Sequence, residues 1–168
     1  SIIEKEFSFD GFKEQLDNKI EVSNQHRAES LNRVLYKCPV CKEEGHMFGY
    51  GEHLKCENCN SSWYMDEYGQ LISESESNIF SHIPTWNNWQ REEVKKEIEN
   101  KTYVLDVDVD IDVLKNFKHL YNIGSGHLVH NEHGLTLNAF DGKLNFHQPS
   151  KTLYTLNSDF YWYEIGDV

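Results

Sequence analysis

The chain has 168 residues and a formal net charge of −12 at pH 7, and this length fits one ordinary domain or two small ones in series. No apolar run is long enough to span a membrane. Lysine and arginine do not form the clusters that bind phosphate backbones, and acidic residues outnumber basic ones between Glu67 and Asp112. This charge balance disfavours nucleic acid as a partner and adhesion to anionic lipid through charge alone.

The first 36 residues are predicted to form a helical lead-in. Residues 10–18 place Phe12 and Leu16 on one side of a short helix. A second short helix is predicted over residues 27–36, where four apolar residues recur at helical spacing: Ala28, Leu31, Val34 and Leu35.

All four cysteines lie in one short stretch as two Cys-x-x-Cys pairs, Cys38 with Cys41 and Cys56 with Cys59. A disulfide framework would spread its cysteines over the domain, so two tight pairs indicate metal binding in a reducing compartment. We therefore expect a cytoplasmic protein. The alternative, a redox-active pair, explains one Cys-x-x-Cys motif but not two matched ones.

The spacing of the two pairs predicts a zinc ribbon over residues 37–69. Thiolate sulfur suits Zn²⁺, which takes four tetrahedral ligands in structural sites. The residues between the pairs predict a β-hairpin that turns at Gly51 and Glu52 and brings the second pair back to face the first. Four thiolates leave no open position for a substrate, so the predicted cofactor is one structural Zn²⁺ that stabilises a segment too short to fold alone.

Five histidines are predicted not to bind metal. His46 and His53 lie between the cysteine pairs but exceed a complete set of four ligands, so we place them on the hairpin surface. His127, His130 and His133 are spaced by three on a predicted strand, where neighbours at that spacing point to opposite faces. These three residues are therefore not expected to form a second metal site.

The middle of the chain is predicted to be a linker followed by a helix. Residues 70–84 include a polar run without periodicity, which is typical of a linker or an exposed loop. Pro84 then marks the start of a helix that continues to about Asn100. Trp86 and Trp89 share its apolar face, where they either pack the helix onto its own domain or dock a partner.

Residues 85–168 are predicted to combine this helix with an antiparallel β domain. After Thr102 aspartates alternate with apolar residues, which predicts a half-buried strand whose aspartates face water. Further strands are predicted at 119–123, 126–130, 134–139, 143–147, 152–156 and 159–165, with hairpin turns at 131–134 and 141–142. The fold class is therefore α+β: a small zinc ribbon, a helix and a C-terminal antiparallel barrel or sandwich, for which a pleckstrin-homology-like architecture is one candidate.

Several blocks of residues occur in an order and with gaps that resemble a known protein family. They are Arg27-Ala28-Glu29, Leu35-Tyr36-Lys37-Cys38-Pro39, Glu44-Gly45-His46-Met47, Trp63-x-Met65 with Glu67 and Gly69, Phe80-Ser81-His82-Ile83-Pro84-x-Trp86-x-x-Trp89-Gln90-Arg91, Gly126-x-Leu128-x-His130, Gly134-x-Thr136 and Asp141-Gly142-Lys143. Residues 27–168 are similar to the C-terminal extension of bacterial 1-acylglycerol-3-phosphate acyltransferase-like proteins, in the lysophospholipid acyltransferase family.

The resemblance implies a parent enzyme that moves an acyl chain from a thioester onto a lysophospholipid hydroxyl. The family's catalytic box is a His followed five residues later by an Asp, with the His acting as general base. None of the nine histidines here has Asp at that position, so we predict no catalytic residues in this chain. Because it opens at Ser1 and stops at Val168 after an apolar run, we expect a fragment, with residues 1–36 as the trailing edge of an upstream catalytic domain.

The resulting hypothesis is a non-catalytic, zinc-stabilised accessory or interaction region of a lysophospholipid acyltransferase. Its expected partners are an upstream acyltransferase domain or another protein, with peripheral lipid contact through the parent protein. A free-standing protein- or lipid-binding module is the alternative. A nucleic-acid-binding zinc ribbon is the weakest reading because of the acidic balance.

Overall fold

The computed structural model describes residues 8–74, 79–116 and 119–152. The chain divides into two compact units, the first reaching Glu93 and the second starting at Val94. The described residues form two α-helices and two four-stranded antiparallel sheets. The predicted α+β class is therefore confirmed, while the finer division into four segments stays a prediction.

Helix α1 (Gly11–Asp17) forms where the sequence predicts a helix over residues 10–18. Asp10 caps its first turn, since its side chain accepts a hydrogen bond from the Lys13 backbone N–H at 3.0 Å. Phe12 packs against the core of the first unit. The helix predicted over residues 10–18 is therefore confirmed.

The predicted helix over residues 27–36 is wrong, because the segment holds only a single 3₁₀ turn, Leu31–Arg33. The Ala28 backbone N–H donates to the Gly51 carbonyl in the first sheet at 2.8 Å, and Ser30 has a left-handed φ of 61°. Pairing with the sheet thus overrides the helical spacing of the apolar residues. Ala28 is still fully buried, as that spacing indicated.

The first sheet is an antiparallel meander of four short strands in sequence order: β1 (Met47–Tyr50), β2 (His53–Cys56), β3 (Ser62–Met65) and β4 (Leu71–Ser73). Strands β1 and β2 form the predicted hairpin, with Gly51 in its turn at a φ of 53°. Residues alternate along the strands between a buried face and an outer face. The buried face includes Leu54 and Trp63, which have no exposed surface.

Strand β4 lies inside the stretch predicted to be a linker, residues 70–84, and corrects that prediction. Leu71 is fully buried and opposes Met65 of β3, so this part of the stretch belongs to the sheet. The linker prediction rested on the polar run that follows, and a strand of three residues is too short to show a period. Residues 75–78 lie outside the described residues.

Helix α2 (Ile83–Glu99) starts one residue before the predicted Pro84 and crosses the boundary between the two units. Two of its side chains bond the segment that leads into the cysteines. The Trp86 indole N–H donates to the Lys37 carbonyl at 3.0 Å, and the buried Gln90 amide accepts from the Lys37 backbone N–H at 3.4 Å. Within the described residues no helix, α2 included, is long and apolar enough to cross a membrane.

The second sheet is also an antiparallel meander in sequence order: β5 (Val104–Lys115), β6 (His119–Asn131), β7 (Gly134–Ala139) and β8 (Leu144–Pro149). The hairpin turns predicted at 131–134 and 141–142 are confirmed. The strands predicted separately at 119–123 and 126–130 are parts of the single long strand β6.

The strands described in the second unit form one sheet with two edges, β5 and β8. Among them β5 pairs only with β6, and β8 pairs only with β7. The further strands predicted at 152–156 and 159–165 lie outside the described residues, apart from Thr152. A barrel, a sandwich or a pleckstrin-homology-like domain therefore stays a prediction.

Strand β5 keeps its predicted alternation but is less buried than predicted. Asp106 and Asp108 are exposed, as expected. Yet the neighbouring apolar residues are also exposed in part, since Leu105 retains 37% of its surface and Val107 retains 38%. The alternation of residues shows which side of a strand is apolar, but it does not show how much of that side another element covers.

We predict that Gly49→Ala lowers the free energy of unfolding by about 2 kcal/mol, because overpacking a close contact forces the backbone to move. A Cβ at this position of β1 would lie 2.5 Å from the Ala28 carbonyl oxygen and 2.9 Å from the Leu31 backbone nitrogen. Denaturant unfolding measures the change. The control is Gly11→Ala, whose Cβ would meet only the Phe9 ring, at 3.6 Å. Equal stability of the two variants would contradict the packing of the lead-in on β1.

Candidate metal centre

Two turns of the same geometry hold the four cysteines. In each turn the residue four places after the first cysteine donates its backbone N–H to that cysteine's carbonyl, Lys42 to Cys38 at 2.9 Å and Asn60 to Cys56 at 2.8 Å. Lys42 and Asn60 also share a left-handed backbone, with φ values of 65° and 62°. The repeated spacing in the sequence therefore produces a repeated local structure.

The two turns bring four sulfur atoms within 4.8 Å of one another, one each from Cys38, Cys41, Cys56 and Cys59. The Cys38 Sγ lies 3.7 Å from the Cys59 Sγ, and the Cys41 Sγ lies 3.7 Å from the Cys56 Sγ. A disulfide needs about 2.05 Å, whereas tetrahedral thiolates bound at ~2.3 Å lie about 3.8 Å apart. The predicted cysteines are thus close together in an arrangement that can hold a metal ion.

The surroundings of the sulfurs act on their pKa values in both directions. Burial raises the pKa of the Cys38 and Cys56 thiols, and backbone amides two and three residues further along oppose the rise by donating to these sulfurs. At Cys59 burial also acts upward, but hydrogen bonds from Ser61 and the neighbouring cysteines lower the pKa to about 6. A bound cation would favour the thiolate at all four positions.

The cluster lies at the edge of the first unit's core. Cys38 and Cys56 have no exposed surface, while Cys41 and Cys59 are half-buried against the same core. Four sulfurs complete a tetrahedral set, so an ion held here would have no position left for a substrate. Such an ion could hold the two cysteine turns together.

The two histidines between the cysteine pairs lie outside the cluster. His46 is exposed, and its carbonyl accepts the Glu57 backbone N–H at 2.8 Å. His53 lies on the outer face of β2, where its ring stacks on Tyr50 at 5.8 Å and its Nδ1 is 3.5 Å from Glu74. Both occupy the positions predicted for them on the surface of the hairpin.

Trp86 is part of the core of the first unit. It has no exposed surface and its ring lies 4.8 Å from that of Trp63. Trp89 packs against the same core and against Phe80, at 5.4 Å between ring centres. Both tryptophans thus pack helix α2 onto the first unit, which is one of the two alternatives from the sequence, and a docking role stays a prediction.

The three histidines of the second sheet have separate surroundings. His127 lies between two carboxylates of β5, with Nδ1 3.0 Å from Asp108 and Nε2 2.8 Å from Asp106. The hydrogen bond that the His127 ring donates to the Asp108 carboxylate is the largest cause that raises the pKa of His127. His130 instead meets the edge of the Tyr103 ring, at 5.4 Å between ring centres. His133 lies in the turn after β6.

Two features of the first unit were missed from the sequence. Arg27 is buried, with 4% of its side chain exposed, and donates to the Met65 carbonyl at 2.7 Å beside the Glu52 carboxylate. A single arginine gives no pattern that would signal such a contact. The second feature is the exposed pair Phe48 and Tyr50. Their spacing of two on a predicted strand indicates that they share one face, so this feature could have been predicted.

No protein-family model, curated protein sequence or solved structure matches this chain. The resemblance to the acyltransferase extension therefore stays a prediction.

We predict about one bound metal ion per chain, the occupancy of a single tetrahedral thiolate site, and loss of that ion in Cys59→Ser. The substitution replaces a thiolate ligand with an uncharged hydroxyl. Elemental analysis of the purified chains measures the metal content. The matched control is His46→Ala, which removes an exposed potential ligand between the two pairs and should retain the ion. Metal retained in Cys59→Ser but lost in His46→Ala would contradict the four-cysteine set.

Proposed function

We propose that Cys38, Cys41, Cys56 and Cys59 bind one structural Zn²⁺ and that residues 37–69 form a zinc ribbon within the first unit. The observation that supports the proposal is the spacing of the sulfurs, 3.7 Å across both pairs of facing cysteines. Zinc prefers thiolate ligands and tetrahedral geometry. The two equivalent turns, each with backbone amides directed at its first sulfur, are the local structure that such an ion requires.

Zinc would also supply stability that the first unit lacks. Its strands have three or four residues each, and sheets of this size bury little apolar surface. Structural zinc sites contribute apparent binding free energies of roughly 10–16 kcal/mol in finger peptides, and that energy becomes folding energy where no site exists in the unfolded chain. The ion therefore acts by folding the chain.

We infer that the chain works by binding and not by catalysis. A closed set of four thiolates offers no open coordination position, and the sequence lacks the His and Asp box of the family it resembles. On this proposal the chain is an accessory region of an acyltransferase-like protein, in contact with its catalytic domain or with another protein. The exposed outer face of the first sheet favours a binding role, whether within that parent or as a free-standing module.

The test is an acyl-transfer assay on the zinc-loaded chain. With lysophosphatidic acid and an acyl thioester as substrates, we expect no phosphatidic acid above the level of a protein-free control. A membrane fraction that performs the reaction establishes the detection limit. Phosphatidic acid formed by the chain in proportion to its concentration would contradict a non-catalytic role.

A further inference from the structure

The outer face of the first sheet is a continuous surface of aromatic rings. Alternation along the strands places Phe48, Tyr50, His53 and Tyr64 on the side opposite the core, and we name these four residues the aromatic face. Successive ring centres are 5.7 Å, 5.8 Å and 5.6 Å apart. The first two pairs are stacked, each with 26° between the ring planes.

Two rings of the aromatic face are open to contact. Phe48 retains 52% of its surface and Tyr50 46%, and Ile72 of β4, opposite Tyr64, retains 48%. In the same unit Trp63 and Trp86 are fully buried. The core therefore leaves aromatic surface exposed on one defined side of the sheet, which is typical of an interaction site.

Carboxylates border the aromatic face. Glu52 lies in the turn between β1 and β2, Glu67 follows β3, and Glu74 follows β4 with its carboxylate 3.5 Å from the His53 ring. All three side chains are partly exposed. Lys55 is the cation among the residues of β2 that share this side of the sheet. Acidic charge thus exceeds basic charge around the rings, in keeping with the net charge of −12.

One cation of the chain itself, Arg27, already contacts the aromatic face. Its guanidinium carbon lies 5.3 Å from the centre of the Tyr64 ring. The same group pairs with Glu52 and, at 3.5 Å, with Glu67, and it donates to the Tyr64 hydroxyl at 2.6 Å. A guanidinium next to an aromatic ring and two carboxylates gains both from the ring quadrupole and from ion pairing.

We propose that the aromatic face docks a basic polypeptide segment of a partner protein. Lys or Arg side chains of that segment stack on Phe48 and Tyr50 and pair with the partly exposed Glu74 carboxylate, repeating what Arg27 does at Tyr64. The inference rests on the proposed binding function and names its partner chemistry. Stacking rings also suit single-stranded nucleic acid, but the bordering carboxylates repel phosphates. Of the two cations described at this face, Arg27 is already paired with Glu52 and Glu67, and Lys55 lies on β2.

The test is a titration of the zinc-loaded chain with a labelled, unstructured Lys/Arg-rich peptide, followed by fluorescence anisotropy. The double variant Phe48→Ala with Tyr50→Ala should raise Kd roughly tenfold, since each cation–π contact adds up to about 1 kcal/mol. Glu74→Gln should weaken binding less, and added salt should weaken it further. The matched control is Phe146→Ala in β8, where an equally exposed ring, 46%, lies outside the face.

Zinc content measured on every variant separates this inference from the proposed function. A zinc-loaded wild-type chain that binds no basic peptide, or equal Kd values for the double variant and Phe146→Ala, would overturn the docking inference alone. Tighter binding of a labelled single-stranded oligonucleotide than of the peptide, abolished in the double variant, would also overturn the docking inference. Absence of zinc from the folded wild-type chain would instead overturn the proposed function.

Discussion

Four sulfur atoms, from Cys38, Cys41, Cys56 and Cys59, converge within 4.8 Å of one another, and on the proposed function the fold of the first unit depends on the ion that they would hold. Burial opposes ionisation at Cys38 and Cys56, while backbone amides favour it. A bound cation would decide between these opposing effects in favour of the thiolate. A bound Zn²⁺ would be coordinated by thiolates from both turns, and it would thereby hold the strands between the turns in register.

The remaining parts of the first unit are arranged around this cluster. The segment that enters the first turn is bonded to helix α2 through Trp86 and Gln90, both fully buried. Trp63 on β3 packs against Trp86, so the sheet, the helix and the lead-in meet in one small core. Because these apolar contacts are few, loss of the turns would expose the indole rings. On the proposed function, a metal ion at the edge of the core would therefore decide whether the outer, aromatic side of the same sheet forms.

Features with a short, repeated pattern could be predicted from the sequence, and features that depend on distant contacts could not. The two Cys-x-x-Cys pairs specify their own turns, and the alternation after Thr102 specifies strand β5. In contrast, Ala28 carries a helical pattern but bonds to Gly51 across the sheet, so tertiary pairing replaces the predicted helix. Strand β4 was hidden because Leu71 is a single buried residue before a polar run, and Arg27 gave no local signal.

Removal of the metal, followed by tryptophan fluorescence, tests most directly whether an ion folds the first unit. A chelator should shift the emission to longer wavelength as Trp63 and Trp86 become exposed to water, and added Zn²⁺ should restore it in proportion to about one ion per chain. This result would show that the ion folds the unit on which the binding surface is built. A metal-free chain that retains the fluorescence and unfolding transition of the zinc-loaded chain would contradict the central claim.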